Sequence, residues 1–304
     1  MSNLVDLERV RVEFAERLRE VAGLRSSALV RALATVPREH FVGPGPWQIL
    51  SPSDLPRGYR LTPDNDPRHL YDSVLVALDA NRLLNNGEPA SLLQWLDSLD
   101  LGSRDRFLHI GCGVGYYTAI AAEAVLPGGR VVGVEIDPQL AERAQRNLAT
   151  YENVEVISAD GSEYEGEPFD AIFVSAGATE VRPVWLDQLR LGGRLLVPLT
   201  VALPPDLRPG WFGEGIDVGT GQMLLVVRQP GDYAVRFVSW VGIFHCVGAR
   251  TDGGNDLLAR AFQRGGHQSV RSLRRDQHGA TSLCWLHAHG FCLSSAPEAG
   301  DPIQ

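Results

Sequence analysis

His109-Ile110-Gly111-Cys112-Gly113-Val114-Gly115-Tyr116 places three glycines within five residues, and what flanks this stretch decides the fold. Arg106 to Ile110 reads as a strand running into it, and Tyr117 to Val125 as a helix leaving it. Glycines let a backbone turn sharply and lie close to a ligand at a helix N-terminus. Taken alone the pattern is weak, because such turns also form for packing. Working outward, Val131 to Ile136 is an apolar strand that ends on an acid, Glu135, 20 residues beyond Gly115. That is the spacing at which a carboxylate grips ribose hydroxyls, although a solvated acid at a strand end would look the same in isolation. Gln139 to Tyr151 follows as a helix, then the strands Val154 to Ile157, Ala171 to Val174 and Arg194 to Pro198, with a helix from Pro183 to Leu189. Runs that are apolar on both faces and separated by helices indicate a parallel sheet covered on both sides. Asp160-Gly161, after the third strand, adds a carboxylate suited to an adenine amino group.

The loop lacks the final G-x-x-G spacing of a dinucleotide fingerprint, since Tyr116, Tyr117 and Thr118 occupy those positions. Bulky residues there suit a nucleoside cofactor without a pyrophosphate, and S-adenosylmethionine is the natural candidate. VPREHF (Val36 to Phe41), HIGCGVGY, VVGVEIDPQLAERAQRNL, Asp160-Gly161, FDAIFVSAGA (Phe169 to Ala178) and LRLGGRLLVPL together resemble the protein-L-isoaspartate O-methyltransferase family, in order and spacing, from about Ser27 to Cys246. The resemblance implies an α/β fold: a Rossmann-like class I S-adenosylmethionine methyltransferase sheet with an N-terminal helical cap and, in this chain, a C-terminal β-rich extension. It assigns S-adenosyl-L-methionine to His109, Gly111, Cys112, Gly113, Gly115, Tyr116, Glu135, Ile136, Asp160, Gly161 and Ser175. The expected division is a cap over 1–80, a cofactor-binding core over 81–203 and antiparallel strands with the extension over 204–304.

Three departures from the family stand out. Its substrate signature, Gly-Gln-Thr-Ile-Ser ahead of a proline-led helix, is replaced by Leu83-Leu84-Asn85-Asn86-Gly87 when the helix at Pro89 is the anchor. Both hydroxyls are lost, and Asn85, Asn86 and Gly87 become the candidate catalytic turn, the two amides standing in as donors. Asn-Asn-Gly is equally strong turn chemistry. A second register, Gly87-Glu88-Pro89-Ala90-Ser91, keeps a serine but shortens the following helix by two residues, so the first is preferred. His109 stands where the family carries an acid near the methionine amino group, which would set an uncharged or switchable group beside the cofactor.

Composition narrows the chemistry. All 28 basic residues are arginine, which excludes Schiff-base, pyridoxal-phosphate and Walker-A mechanisms, each of which needs an ε-amine. Methyl transfer to a carboxylate needs none. A formal charge of -9 argues against nonspecific nucleic-acid binding, and Ser175-Ala176-Gly177-Ala178 lacks the Asn/Asp-Pro-Pro-Tyr pattern of base methyltransferases. No apolar run suggests a membrane span, the charged stretch MSNLVDLERVRVEF is patterned as neither signal nor transit peptide, and four scattered cysteines fit a reducing cytoplasm.

Elsewhere, Leu4 to Leu33 reads as two helices, with Leu7, Val10, Phe14 and Leu18 on one face. Prolines 37, 44, 46, 52 and 56 make Val36 to Leu61 irregular. Val74 to Ala77 is a short apolar stretch, and Pro89 to Leu99 a helix. Gln222 to Arg228, Ala234 to Val241 and Ile243 to Val247 are strands around a Pro230-Gly231-Asp232 turn. Asn255 to Gln263 reads as a helix, Ser269 to Leu273 and Thr281 to Leu293 as a second hairpin, and the residues from Ser294 as a frayed end. Arg38 is expected to tie cap to core by an ion pair, His40 to be structural and Arg274-Arg275 to be a solvated turn. Cys284-x-x-His287-x-His289-x-x-Cys292, read as one strand, sends cysteines and histidines to opposite faces, so no metal is expected. The expected activity is carboxyl O-methylation of an isoaspartyl or aspartyl carboxylate in a protein or peptide substrate. Two alternatives stand beside it: a dedicated carboxyl methyltransferase of peptide natural-product maturation, and a cofactor-binding interaction protein that has lost catalysis. Nothing in the sequence fixes the oligomeric state.

Overall fold

The computed structural model describes residues 2–51, 54, 58–204, 206, 218–251 and 253–296. In chain order these form α1 (Ser2–Val21), α2 (Ser27–Thr35), α3 (Glu39–Val42), β1 (Gln48–Leu50), β2 (Arg60–Leu61), β3 (Leu75–Asp79), β4 (Leu84–Asn85), α4 (Pro89–Ser98), β5 (Arg106–Ile110), α5 (Tyr116–Ala124), β6 (Arg130–Glu135), α6 (Pro138–Asn147) and β7 (Val154–Ser158). They continue as β8 (Phe169–Val174), α7 (Pro183–Asp187), β9 (Leu189–Ala202), β10 (Val218–Gln229), β11 (Asp232–Phe244), α8 (Gly254–Arg264), β12 (Ser272–Arg274), β13 (Cys284–Ala288) and β14 (Phe291–Ser294). The α/β alternation from β5 to β9 is that of a Rossmann-like methyltransferase, as expected. The chain divides into two units, the first holding α1 to α4, β1 to β4 and Cys112–Ser158, the second Arg106–Gly111, Ala159–Leu203 and the strands from β10 onward.

In the first unit, helix starts follow local chemistry. Ser26 accepts the Leu29 N–H at 3.2 Å to begin α2, Glu88 accepts from Ala90 and Ser91 ahead of Pro89, and Asp137 accepts from Gln139 and Leu140 ahead of Pro138. Of the face expected on α1, Phe14 and Leu18 are buried while Leu7 and Val10 are half-buried, and Leu29 and Leu33 of α2 are buried as well. The proline-rich segment yields a small antiparallel sheet, β2-β1-β3-β4, over a core of Val42, Trp47, Ile49, Leu70, Val74 and Val76. Pro52 and Pro56 lie outside the described residues. β6 and β7 pair in parallel, Val131 opposite Val154.

The second unit is one sheet in the order β13-β14-β12-β11-β10-β9-β8-β5, parallel at β5/β8 and β8/β9 and antiparallel beyond. Two strands are longer than the sequence suggests. The stretches expected as Ala234 to Val241 and Ile243 to Val247 join into a single strand that ends at Phe244, because Gly242 stays paired with Thr220 of β10 and does not break the ladder. β9 likewise runs from Leu189 to Ala202, since β10 pairs with it from Arg194 onward. Among the described residues no helix is long and apolar enough to cross a membrane.

Arg38 departs from its expected ion pair. It is fully buried, and its guanidinium donates to the carbonyls of Leu70 (2.8 Å), Asp72 (3.3 Å), Val74 (2.7 Å) and Gly87 (3.2 Å). The planar fork reaches four acceptors that a lysine ammonium, with three donors, could not. Removing it strands several buried carbonyls, each worth about 1–3 kcal/mol when left unpaired. Arg38→Met should therefore lower stability by about 3 kcal/mol or more, and Arg38→Lys by less, read from urea unfolding midpoints at constant m-value.

Candidate cofactor and substrate sites

In the first unit the Cys112 N–H donates to the Val134 carbonyl at 3.2 Å, and the chain then turns through Gly113 (φ +58°) and Gly115 (φ +93°) into α5. A Cβ on Gly115 would lie 2.6 Å from Leu148, so packing forbids a side chain there. A Cβ on Gly113 would meet nothing within 4 Å, which leaves that face of the loop open to a ligand. Glu135 is buried; one oxygen accepts the Gly113 N–H at 2.8 Å and the other the Asp137 N–H at 3.0 Å. A carboxylate has about four acceptor positions, so each oxygen keeps one for a neighbouring pair of hydroxyls. Burial pushes the Glu135 carboxyl up from its ordinary value, and the backbone amides of Asp137, Gly113 and Ile136 work against that rise. Ile136, next in the chain, stays 44% exposed and offers an apolar surface. Cys112 is a packing group: burial, and then the Glu135 charge, push its thiol upward. Tyr116 is buried, with its ring 5.8 Å below the Arg38 guanidinium.

In the second unit, His109 is buried flat against Phe173, ring centroids 5.3 Å apart, with Nε2 2.9 Å from Ser175 Oγ. Burial drives its pKa down to about 3, so the imidazole stays neutral at working pH and the switchable option is excluded. The Ser175 N–H donates to the Ile110 carbonyl at 2.8 Å. A Cβ on Gly161 would collide with Ile110, and the Gly161 carbonyl accepts from Trp185 Nε1 at 2.8 Å, which fixes the Asp160-Gly161 turn. Asp160 accepts the Ser162 N–H at 2.8 Å. Gly111 turns at φ +75° beside Ser175.

The Asn85-Asn86-Gly87 turn belongs to the first unit. Asn85 is occupied by the turn itself, its oxygen accepting the Gly87 N–H at 2.9 Å and its amide donating to the Leu83 carbonyl at 3.2 Å. Asn86 differs: its side chain is buried and its Nδ2 has no hydrogen-bond partner among the described residues. Gly87 sits at φ +70°, where a Cβ would press on Leu92 at 3.1 Å, and its carbonyl also accepts from Tyr117 at 3.3 Å. Geometry thus favours glycine at position 87.

Sequence reasoning missed the reach of the segment after β11. Gly177 donates to the Phe244 carbonyl (2.7 Å), and its own carbonyl accepts from the Cys246 N–H (2.9 Å) and from Arg250 (2.9 Å). The Thr251 N–H donates to Thr179 Oγ1 at 3.1 Å. Gly248, at φ +77°, lies so close to Asp160 that a Cβ would be 2.7 Å from its carboxylate. The one sequence signal was a glycine flanked by Val247 and Ala249. The expected separation of the Cys284–Cys292 ligands is also overturned: the stretch is a hairpin, and Cys284, His287 and Cys292 gather with His278.

The sequence profile of the Protein-L-isoaspartate(D-aspartate) O-methyltransferase family matches residues 71–203. Protein-L-isoaspartate O-methyltransferase 1 of Archaeoglobus fulgidus is 36% identical over 242 residues, covering 78% of this chain and 91% of that protein. A solved protein-L-isoaspartate O-methyltransferase superposes with a TM-score of 0.59 at 23% identity, covering 83% of this chain and 69% of that one. A second, from Plasmodium falciparum in complex with S-adenosyl-L-homocysteine, gives 0.56 at 16% identity over 78% of this chain and 97% of its own; both likenesses concern the fold.

Glu135→Ala should weaken S-adenosylhomocysteine binding by about tenfold to a hundredfold, as measured by isothermal titration, because charge-assisted acceptors are worth about 1.5–3 kcal/mol. Because its folded pKa is raised, affinity should begin to fall on acidification at a higher pH than an ordinary glutamate would give. The same titration repeated over a pH series checks the sign.

Proposed function

Since this chain belongs to the protein-L-isoaspartate O-methyltransferase family, we propose that it methylates the free α-carboxylate of an isoaspartyl residue, whose side-chain carboxyl is taken up in the peptide bond, in a protein or peptide, with S-adenosyl-L-methionine as donor. The bound cofactor supplies a methyl group activated by the sulfonium. In this reading Glu135 holds the ribose hydroxyls, Ile136 lies against the adenine, and Asp160 accepts from the adenine amino group. Gly111, Gly113 and Gly115 let the backbone approach, and His109 with Ser175 presents a neutral face to the methionine portion. An isoaspartyl carboxylate is already ionised at neutral pH, so no residue has to remove a proton from it. The chain's contribution is to bind the carboxylate, screen it from water and aim one oxygen along the line of attack.

The observation that carries the substrate half of this reading is the orphaned amide of Asn86. A buried donor without a partner costs about 1–3 kcal/mol, and a carboxylate oxygen is the acceptor that would relieve it. Asn85 and Gly87 then serve by holding the turn that presents Asn86. A second reading, a dedicated peptide as substrate, is favoured by two features: neither family hydroxyl is present, and residues 246–251 bind the 177–179 loop.

Incubation with S-adenosylmethionine and paired peptides that differ only in aspartyl linkage tests the proposal. One methyl gained on the isoaspartyl form, as a base-labile ester, supports it. No turnover on any isoaspartyl peptide, with cofactor binding intact, overturns it in favour of a dedicated substrate. Asn86→Ala should lower kcat about tenfold while leaving S-adenosylhomocysteine affinity unchanged.

A further inference from the structure

β13 and β14 meet at a tight turn through Gly290 (φ +90°), and His287 faces Cys292 directly across the ladder, so the two side chains share a face. The register shifts between Cys284, opposite Ser294, and Leu286, opposite Leu293. That irregularity brings Cys284 to the side that His287 occupies. His278, from the loop after β12, completes the group, with Nε2 3.6 Å from Cys284 Sγ and its ring 4.8 Å from that of His287. One donor atom from each of the four residues lies within 4.8 Å of all the others. His289, three residues before Cys292, is not part of the group.

We propose that His278, Cys284, His287 and Cys292 bind one zinc ion as a structural Cys2His2 site. Two thiolates and two imidazoles are the donor set that selects tetrahedral Zn2+, binding as the thiol protons leave to solvent. Bond lengths of about 2.0 Å to nitrogen and 2.3 Å to sulfur set tetrahedral donors roughly 3.3–3.8 Å apart. The Cys284–His278 separation is already in that range, and the widest separation closes by about 1 Å. The surrounding groups are arranged as metal ligands require. His278 Nδ1 lies 3.0 Å from the Asp276 carbonyl, which holds the proton on Nδ1 and frees Nε2. The Thr281 N–H points at Cys284 Sγ from 3.4 Å. His287 Nδ1 is buried without a hydrogen-bond partner among the described residues, and its ring brings a nitrogen into the group. With all four ligands between residues 278 and 292, the ion would fasten the loop after β12 to the terminal hairpin. None of this depends on the methyl-transfer reading.

The full chain, purified under reducing conditions without chelator, should hold about one zinc by plasma mass spectrometry. Cobalt(II) in its place should give the visible bands of a tetrahedral, thiolate-ligated ion. His278→Ala and Cys292→Ser should each weaken zinc binding at least about tenfold in competition with a chelating dye, whereas His289→Ala should retain it. If the ligand variants do not fold, the cobalt spectrum of the unaltered chain decides. Less than about a tenth of an equivalent of zinc after reconstitution, an octahedral cobalt spectrum, equal loss in His289→Ala and His278→Ala, or a Cys284–Cys292 disulfide in the reduced preparation would each overturn the site.

Discussion

A guanidinium enclosed by backbone carbonyls organises the first unit. Burying a charge is expensive unless it is hydrogen-bonded, so the two terminal nitrogens of Arg38 dictate where the carbonyls of Leu70, Asp72, Val74 and Gly87 must point. These carbonyls come from two stretches, residues 70–74 and Gly87, which the guanidinium ties together. Tyr116 lies against the same guanidinium, and Tyr117 donates to the carbonyl of Gly87. One cation therefore couples the start of α5, immediately after the glycine loop, to the turn that carries Asn86. The Asn85-Asn86-Gly87 turn is held by Arg38 as well as by its own Asn85.

The cofactor residues follow a second constraint, close approach. Gly115 and Gly161 leave no room for a Cβ, while Gly113 leaves room that nothing in the chain fills. Glu135 uses one acceptor position on each oxygen to fix itself to the backbone and keeps the others free. His109 gains neutrality from burial, so its charge state is settled by the fold. With no lysine in the chain, any cation that meets an acidic substrate has to be arginine, carried by elements the fold itself sets in place.

Much of this was legible in the sequence because it rests on local rules. Glycine at positive φ, proline after a capping acid, an acid at the end of an apolar strand and two-sided apolar strands are read from neighbouring residues, and they located α4, α6, β5 and β6 closely. The failures involve partners distant in sequence. Arg38 looked like half of an ion pair because its acceptors are backbone atoms, which carry no sequence signature. The cysteine–histidine run was treated as a single strand although its own glycine, Gly290, breaks it into two. Alternation along one strand says nothing about faces once a turn and a bulge intervene.

The segment following β11 completes the hydrogen bonding of the Gly177 and Thr179 loop and fits a glycine against Asp160. Tail and loop are thus one hydrogen-bonded assembly, and a change within residues 246–251 reaches the loop after β8 as directly as a change in the loop itself.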